Sequence, residues 1–251
     1  MFTINSDKAW NKYGKKNPYF GVLTYDEFLD ENLSEESKKK FFRTGDEFVE
    51  RIFKAIHQRF DPTFSPKKIL DFGCGTGRLT LALAKKGEDT LGMDVSVDML
   101  EEAKKNAIDQ AISTVHFLPS DDELSTIVGK KFDLINCYIV LQHINVERGM
   151  KIFSSLVDAL NNKGIGVIQF TYKSNKSKAK RVISYFRYRL PFIHGIMNLL
   201  KGNSYTEPLM QMNSYDLNQV YSVLQEKGIE NTFQKLEDHG GFWGVTIYFQ
   251  K

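Results

Sequence analysis

Apolar residues recur along this chain at two periods, and their alternation lays out a strand–helix order. Phe48, Val49, Ile52, Phe53, Ile56 and Phe60 form one stripe at helical spacing, stopped by Asp61-Pro62. Thr44-Gly45-Asp46-Glu47 has the form of a capping box and predicts the start of that helix at Thr44. A short run at Ile69-Leu70 then reads as a strand ending in Asp71, followed by Leu79, Leu81, Ala82 and Leu83 on a helix stopped by Gly87. Thr90 to Met93 is a second strand. Ser96 caps a helix carrying Met99, Leu100, Ala103 and Ala107. Val115–Leu118 and Phe132–Tyr138 are strands three and four. Asn145 caps a helix with Met150, Phe153, Leu156, Val157 and Leu160, ended by Asn161 to Gly164. Gly166–Phe170 is a buried fifth strand. Ser214 is the expected cap of a helix bearing Leu217, Val220, Tyr221 and Leu224, and Thr232–Leu236 with Val245–Phe249 closes the chain as an antiparallel hairpin around Gly240-Gly241. Strands alternating with helices point to an α/β protein with a mostly parallel sheet.

Composition narrows the class without naming a function. The 251 residues are 41% hydrophobic and 26% charged, ordinary for a globular protein able to bury a sizeable core. A net charge of +3 is too small to argue for nucleic acid, and no binding module for it is recognisable. No apolar run is long enough to span a bilayer, and MFTINSDKAW lacks a signal-peptide core, so a cytoplasmic location is expected. Cys74 and Cys137 read as reduced thiols, and no Cys/His cluster has metal-ligand spacing, so no metal site is expected.

The chemistry starts at Asp71. Between strands one and two lies D-F-G-C-G-T-G, with glycines at 73, 75 and 77, and the second strand ends in a further acid, Asp94. Glycines allow positive φ and let a ligand approach the backbone where a Cβ would collide. A carboxylate at the end of the second strand is placed to accept both hydroxyls of a ribose. Either a dinucleotide or S-adenosylmethionine fits such a site. The dinucleotide fingerprint G-x-G-x-x-G lacks its last glycine whether counted from Gly73 or from Gly75.

D-F-G-C-G-T-G and Asp94 resemble motifs I and II of the class I S-adenosylmethionine-dependent methyltransferases. The resemblance runs over residues 67–251. It implies a doubly wound, Rossmann-like α/β sheet of seven strands with the last antiparallel, an N-terminal helical lid over residues 1–66, and an inserted substrate cap at 172–212, after strand five. S-adenosyl-L-methionine is the implied cofactor and S-adenosyl-L-homocysteine the product. The loop of Asp71, Gly73, Cys74, Gly75 and Gly77 is implied to hold the methionine end, Asp94 with Val95 the ribose, and Asp121 the adenine amino group, with Asp122 as its alternative. Tyr138 joins the cofactor set. Met99 either packs on the adenine or belongs to the core.

The acceptor side is less determined. W-N-K-Y-G-K-K-N-P-Y-F-G-V-L-T and F-F-R-T-G resemble the N-terminal region of a bacterial methyltransferase subgroup linked to cell-surface polysaccharide or natural-product pathways. Tyr13, Tyr19 and Phe20 are then substrate-pocket candidates; the alternative is a satellite aromatic core. I-V-L-Q-H-I after strand four resembles the stretch beside the reactive methyl group, placing Gln142 and His143 in the cleft. His143 has the unperturbed pKa (~6.5) that suits a base at neutral pH, or else it lines the pocket. Tyr172 to Thr206 carries eight Lys or Arg and no Asp or Glu, interleaved with Ile183, Tyr185, Phe186, Tyr188 and further apolar residues. Three readings of it stand: a cap meeting an anionic or lipid-linked acceptor, a peripheral membrane contact, or a homodimer contact. The expected function is methyl transfer to a small molecule, most naturally O-methylation of a sugar or natural-product-like hydroxyl. The alternatives are a non-catalytic S-adenosylmethionine-binding regulator and an NAD-dependent oxidoreductase.

Overall fold

A computed structural model describes residues 6–177, 190–200, 205 and 210–251. Ile183, Tyr185, Phe186 and Tyr188 of the basic insertion lie outside the described residues. Seven strands form one sheet: β1 Lys68–Phe72, β2 Asp89–Asp94, β3 Val115–Pro119, β4 Phe132–Cys137, β5 Leu160–Ser174, β6 Asn231–Asp238 and β7 Phe242–Gln250. Their order is β3-β2-β1-β4-β5-β7-β6, with β7 antiparallel to both neighbours. The chain reverses its direction of travel between β1 and β4, which pair in parallel beside the β1–β2 pair. Such a switch point opens a crevice at the carboxyl ends of the strands.

Strand periodicity sorts the core into two layers. Ile69, Leu134, Ile165 and Val167 face one side and pack with Val49, Ile52, Phe53 and Ile56 of α3 (Glu35–Arg59) and with Ala82 and Leu83 of α4 (Arg78–Ala84). Leu70, Ile135, Ile168 and Phe170 face the other, against Phe153, Leu156 and Val157 of α6 (Val146–Asp158) and Val220 and Leu224 of α8 (Leu217–Glu226). Helix α5 (Val97–Asp109) covers β3 through Leu100, Ala103 and Ala107. Ahead of this body run α1 (Ser6–Lys16) and α2 (Pro18–Val22), with Pro18 at the first position of α2, where its missing N–H costs nothing. In the insertion, α7 spans Pro191–Leu200.

Two helix starts differ from the sequence expectation. Helix α3 begins at Glu35, with Ser34 and Ser37 forming the capping box, and Thr44 sits inside it with its hydroxyl donating to the Phe41 carbonyl at 2.7 Å. Gly45 interrupts nothing. A Cβ there would lie 2.3 Å from the Arg78 carbonyl oxygen, so the missing side chain lets α3 and α4 touch. Gly45→Ala raises intrinsic helix propensity by about 1 kcal/mol, yet is expected to lower the melting temperature because it forces those backbones apart. A raised melting temperature would show that the contact yields. The cap of α8 is Asp216, whose side chain accepts from the Asn218 amide, and not Ser214. Strand β5 also begins earlier than expected: Asn161 to Gly164 form its irregular start, with Lys163 at φ +63°, rather than a helix stop.

Candidate active site

Asp71 is the fixed point of the site. Its carboxylate is 2% exposed, accepts from the Thr80 hydroxyl at 2.6 Å and, across the β1–β4 seam, from Asn136 Nδ2 at 2.7 Å. Burial outweighs these bonds and pushes its pKa up to about 6. Behind it the chain turns through Gly73 at φ +75° and Gly75 at φ +53°. A Cβ on Gly73 would meet Val140 at 2.2 Å, and one on Gly75 would meet Val22 at 2.6 Å. Val22 and Val140 both line the cleft above this loop, so the glycines keep open a cradle that side chains would fill.

At the end of β2, Asp94 is locked by two amides. Oδ2 accepts from Gly75 N and Oδ1 from Ser96 N, each at 2.9 Å. Acceptor capacity is left on this half-buried group, which borders the cleft. Burial raises its pKa, and the amides of Ser96, Gly75 and Val95 oppose the rise. Asp121 borders the cleft beyond the end of β3, on the surface, bonded to the Ser125 amide at 2.8 Å and to the Ser125 hydroxyl. Asp122 is committed elsewhere, to Arg148 Nε at 2.5 Å.

Loop and acids bound a cleft of about 1030 Å³ of empty space, its mouth included. Gly73, Cys74, Gly75, Val95, Met99, Tyr138 and His143 share it with Asp71, Asp94 and Asp121. Gly77 does not reach it; at φ +87° it is the turn from which α4 starts. Three of the aromatic candidates lie off the wall. Tyr19 is buried with its hydroxyl 2.8 Å from Glu102 Oε1 and 2.7 Å from Asn106 Oδ1, which ties α2 to α5. Tyr13 is buried beside Trp10, and Phe20 packs on the cluster of Tyr19, Phe28 and Phe41. Their satellite-core alternative describes this packing. Tyr19→Phe is expected to cost about 1–2 kcal/mol in a denaturant melt, since the single hydroxyl proton shared between Glu102 and Asn106 is lost; an unchanged midpoint would mean that water replaces it.

Gln142 also faces away from the cleft. Its Oε1 accepts from Thr171 Oγ1 at 2.5 Å and its Nε2 lies 3.2 Å from His143 Nε2. His143 is 6% exposed, and its Nδ1 is 2.7 Å from the Gln211 carbonyl oxygen, which can only accept. Nδ1 therefore carries the proton and Nε2 the lone pair. Burial pushes the pKa of His143 down to about 4, against the pull of the Gln211 carbonyl. The imidazole is neutral at pH 7.

The cleft has walls that sequence reasoning did not assign. Trp10 of α1 meets the His143 ring edge-on, centroids 5.0 Å apart. Arg148 on α6 clasps Asp7 with two bonds of 2.8 and 3.0 Å while also holding Asp122, so α1 is latched across the cleft. Arg78 borders the cleft from the start of α4. The N-terminal aromatics signalled a packed segment, but nothing in their spacing told Trp10 from Tyr13.

Asp71 and His143 give the fold opposing pH dependences. Asp71 holds its proton more tightly folded (about 6) than unfolded (~3.9), so its contribution to stability rises as pH falls from 6 to 4. His143 titrates near 4 folded and ~6.5 unfolded, so its contribution falls as pH drops from 6.5 to 4. Each effect is worth about 3 kcal/mol, and they nearly cancel. Asp71→Asn is expected to unmask the histidine: urea melts should show the variant losing stability between pH 6.5 and 4.5 faster than the parent. Parallel curves would mean that one of the two groups titrates normally.

A profile of the methyltransferase domain family matches residues 69–164, the segment from β1 into β5 that contains the glycine loop, Asp94, Asp121 and His143. A ubiquinone biosynthesis O-methyltransferase of Coxiella burnetii is 36% identical over 91 residues, 36% of this chain and 38% of that protein. The corresponding enzyme of Histophilus somni is 34% identical over 110 residues, covering 37% of this chain and 44% of its own length. The chain thus aligns with less than half the length of these relatives. Among solved structures, magnesium protoporphyrin IX methyltransferase from Synechocystis PCC 6803, with S-adenosylhomocysteine bound, superposes with a TM-score of 0.65 at 17% identity over 98% of this chain and all of that one. The N-methyltransferase NodS from Bradyrhizobium japonicum WM9, in complex with the same molecule, gives 0.60 at 13% identity over 98% of both chains. At such identities the likeness is one of fold, and it covers 98% of this chain. Residues 69–164 match the methyltransferase domain family, and the chain has the fold of these solved methyltransferases.

Proposed function

We propose that this protein transfers a methyl group from S-adenosylmethionine to a hydroxyl of a small molecule. The observation that carries the reading is the cradle itself: two left-handed glycines under Val22 and Val140, with the amide-locked Asp94 beside them. The loop of Asp71 to Gly75 would hold the methionine end, Asp94 and Val95 the ribose, and Asp121 and Met99 the adenine. The bound sulfonium would supply an electrophilic methyl group. The chain's own residues do the rest: Trp10, Val140 and Ile144 exclude water, and His143 Nε2, unprotonated and 3.2 Å from the Gln142 amide, would accept from an acceptor hydroxyl that shares or displaces that amide. Of the lid expected over residues 1–66, α1 with its latch to Arg148 takes that part, whereas α3 packs on the sheet as core. A sugar or natural-product-like metabolite is the preferred acceptor; the O-methyltransferase names of the relatives favour oxygen.

Calorimetry with S-adenosylhomocysteine and NAD, followed by mass detection of methylated products across a panel of hydroxylated acceptors, tests this. Tight binding of S-adenosylhomocysteine without any product would favour the regulatory alternative; NAD binding alone would favour the oxidoreductase.

One observation supports a second role for the insertion. Phe192, Ile196, Leu199 and Leu200 stand 51–82% exposed on α7, a helix without a charged residue inside a segment rich in Lys and Arg. That surface suits peripheral contact with an anionic bilayer. Ile196→Ser with Leu199→Ser is expected to abolish flotation with phosphatidylglycerol vesicles; unaltered flotation, or none by the parent, would reject it.

A further inference from the structure

His143 is held at both ring nitrogens, and the groups that decide how it is held lie outside the stretch I-V-L-Q-H-I. On one side a row of buried polar side chains leads out of β5. Thr171 is fully buried and donates its hydroxyl to Gln142 Oε1 at 2.5 Å, while Gln169 Nε2 approaches Thr171 Oγ1 from behind at 3.5 Å. With Oε1 anchored there, the Gln142 amide turns its Nε2 toward His143 Nε2, 3.2 Å away. A flipped amide would set its oxygen against the imidazole lone pair. On the other side, residues 211–215 run over the turn as a strap. Gln211 gives its carbonyl to His143 Nδ1 at 2.7 Å. Two residues on, Asn213 pins the strap to the turn with three bonds. Its backbone amide donates to the Gln142 carbonyl at 2.7 Å, and its Nδ2 donates to the Gln142 and Ile144 carbonyls at 3.1 and 2.9 Å. Tyr215 closes the strap, its hydroxyl donating to the Leu141 carbonyl and its amide to the Thr171 carbonyl, each at 2.8 Å. Gly149 leaves room for it, since a Cβ there would collide with the Tyr215 hydroxyl. A turn that only had to be closed could be packed with apolar side chains, at no desolvation cost. What the polar set adds is direction. From Gln169 through Thr171 and Gln142 to Nε2, each group donates to the next, and from Nδ1 the ring donates to Gln211.

We propose that Thr171 and Asn213 are positioning residues that hold His143 in one tautomer, with the proton on Nδ1 and the lone pair on Nε2. The inference rests on the base reading above. In that reading the oxygen–methyl bond forms as the methyl–sulfur bond breaks, sulfur keeps that electron pair, and the hydroxyl proton passes to Nε2. A neutral ring carrying its proton on Nε2 has no lone pair there to receive it.

The ring can be read without any acceptor. In nitrogen NMR spectra of protein labelled on its histidine rings, with His143→Ala identifying the signal, the parent should show only the Nδ1–H tautomer of His143 at pH 7. Thr171→Val keeps the branched shape and removes the donor that anchors Gln142, so the amide no longer stays on Nε2. The titration midpoint of His143 should then rise by about 1 pH unit, and Thr171→Ser should restore it. Asn213→Ala releases the strap, and the ring should sample both tautomers at pH 7. With an acceptor from the panel above, the acid limb of kcat in Thr171→Val should move with the midpoint, while the affinity for S-adenosylhomocysteine stays within about twofold. A ring signal unmoved in both variants would overturn the proposal and leave Thr171 and Asn213 to the fold alone. Ring changes with the pH profile of kcat unmoved would instead overturn the base reading, an outcome distinct from a failure of the positioning.

Discussion

Asp94→Ala is expected to abolish binding of S-adenosylhomocysteine in calorimetry, a loss of about 100-fold or more. Two contributions add. The ligand's ribose loses a charged acceptor, where each hydrogen bond is worth about 1.5–3 kcal/mol. The cradle also loses its brace, because Asp94 Oδ2 holds the Gly75 amide and Oδ1 the Ser96 amide. Asp94→Asn separates the two: it keeps the size and one carbonyl acceptor, and should bind with intermediate affinity. Circular dichroism of both variants should match the parent, since β2 is paired on both sides independently of this side chain. Affinity within threefold of the parent for the alanine variant would mean that another group holds the ribose.

The parts of this site that were readable in the sequence are those where the backbone dictates residue type. Gly73 and Gly75 adopt φ of +75° and +53°, where a side chain is both strained and obstructed, so their spacing advertises the turn. Asp71 and Asp94 end strands whose apolar runs are short and sharply bounded. Gly45 carried the opposite message: glycine in a helix normally marks a boundary, and only the approach of the Arg78 carbonyl, 33 residues away in sequence, explains its place inside α3. The same limit hid the latch. Asp7, Asp122 and Arg148 are ordinary surface types in sequence, and they meet only because α1 folds back over the ends of β3 and α6. Tyr19 and Trp10 are both aromatic residues of one segment, yet one is bonded to Asn106 under α2 and the other faces His143. Composition shows that such residues will pack; it does not show against what.

His143→Ala is expected to lower turnover about 100-fold while leaving the affinity for S-adenosylhomocysteine within twofold, because the proposed function puts the ring on the acceptor side of the cleft and gives it no part in holding the cofactor. Its environment makes the pH profile the sharper test. An exposed histidine acting as base would give a rate that falls below about pH 6.5. Here the Gln211 carbonyl fixes the proton on Nδ1, and burial under Trp10 holds the pKa near 4, so Nε2 keeps its lone pair throughout the neutral and mildly acidic range. The rate should therefore be flat from about pH 8 down to pH 5 and decline only toward 4. Such a weak base draws little on the ground-state hydroxyl and gains its driving force as the oxygen becomes acidic during methyl transfer. Gln142 bears on the same balance: its amide donates to Nε2 at 3.2 Å, a bond that an incoming hydroxyl must share or displace. Gln142→Leu should free that lone pair, raise the pKa of His143, and move the acid limb upward in pH. An acid limb near 6.5 in the parent, or turnover unchanged in His143→Ala, would reduce the imidazole to a wall of the pocket.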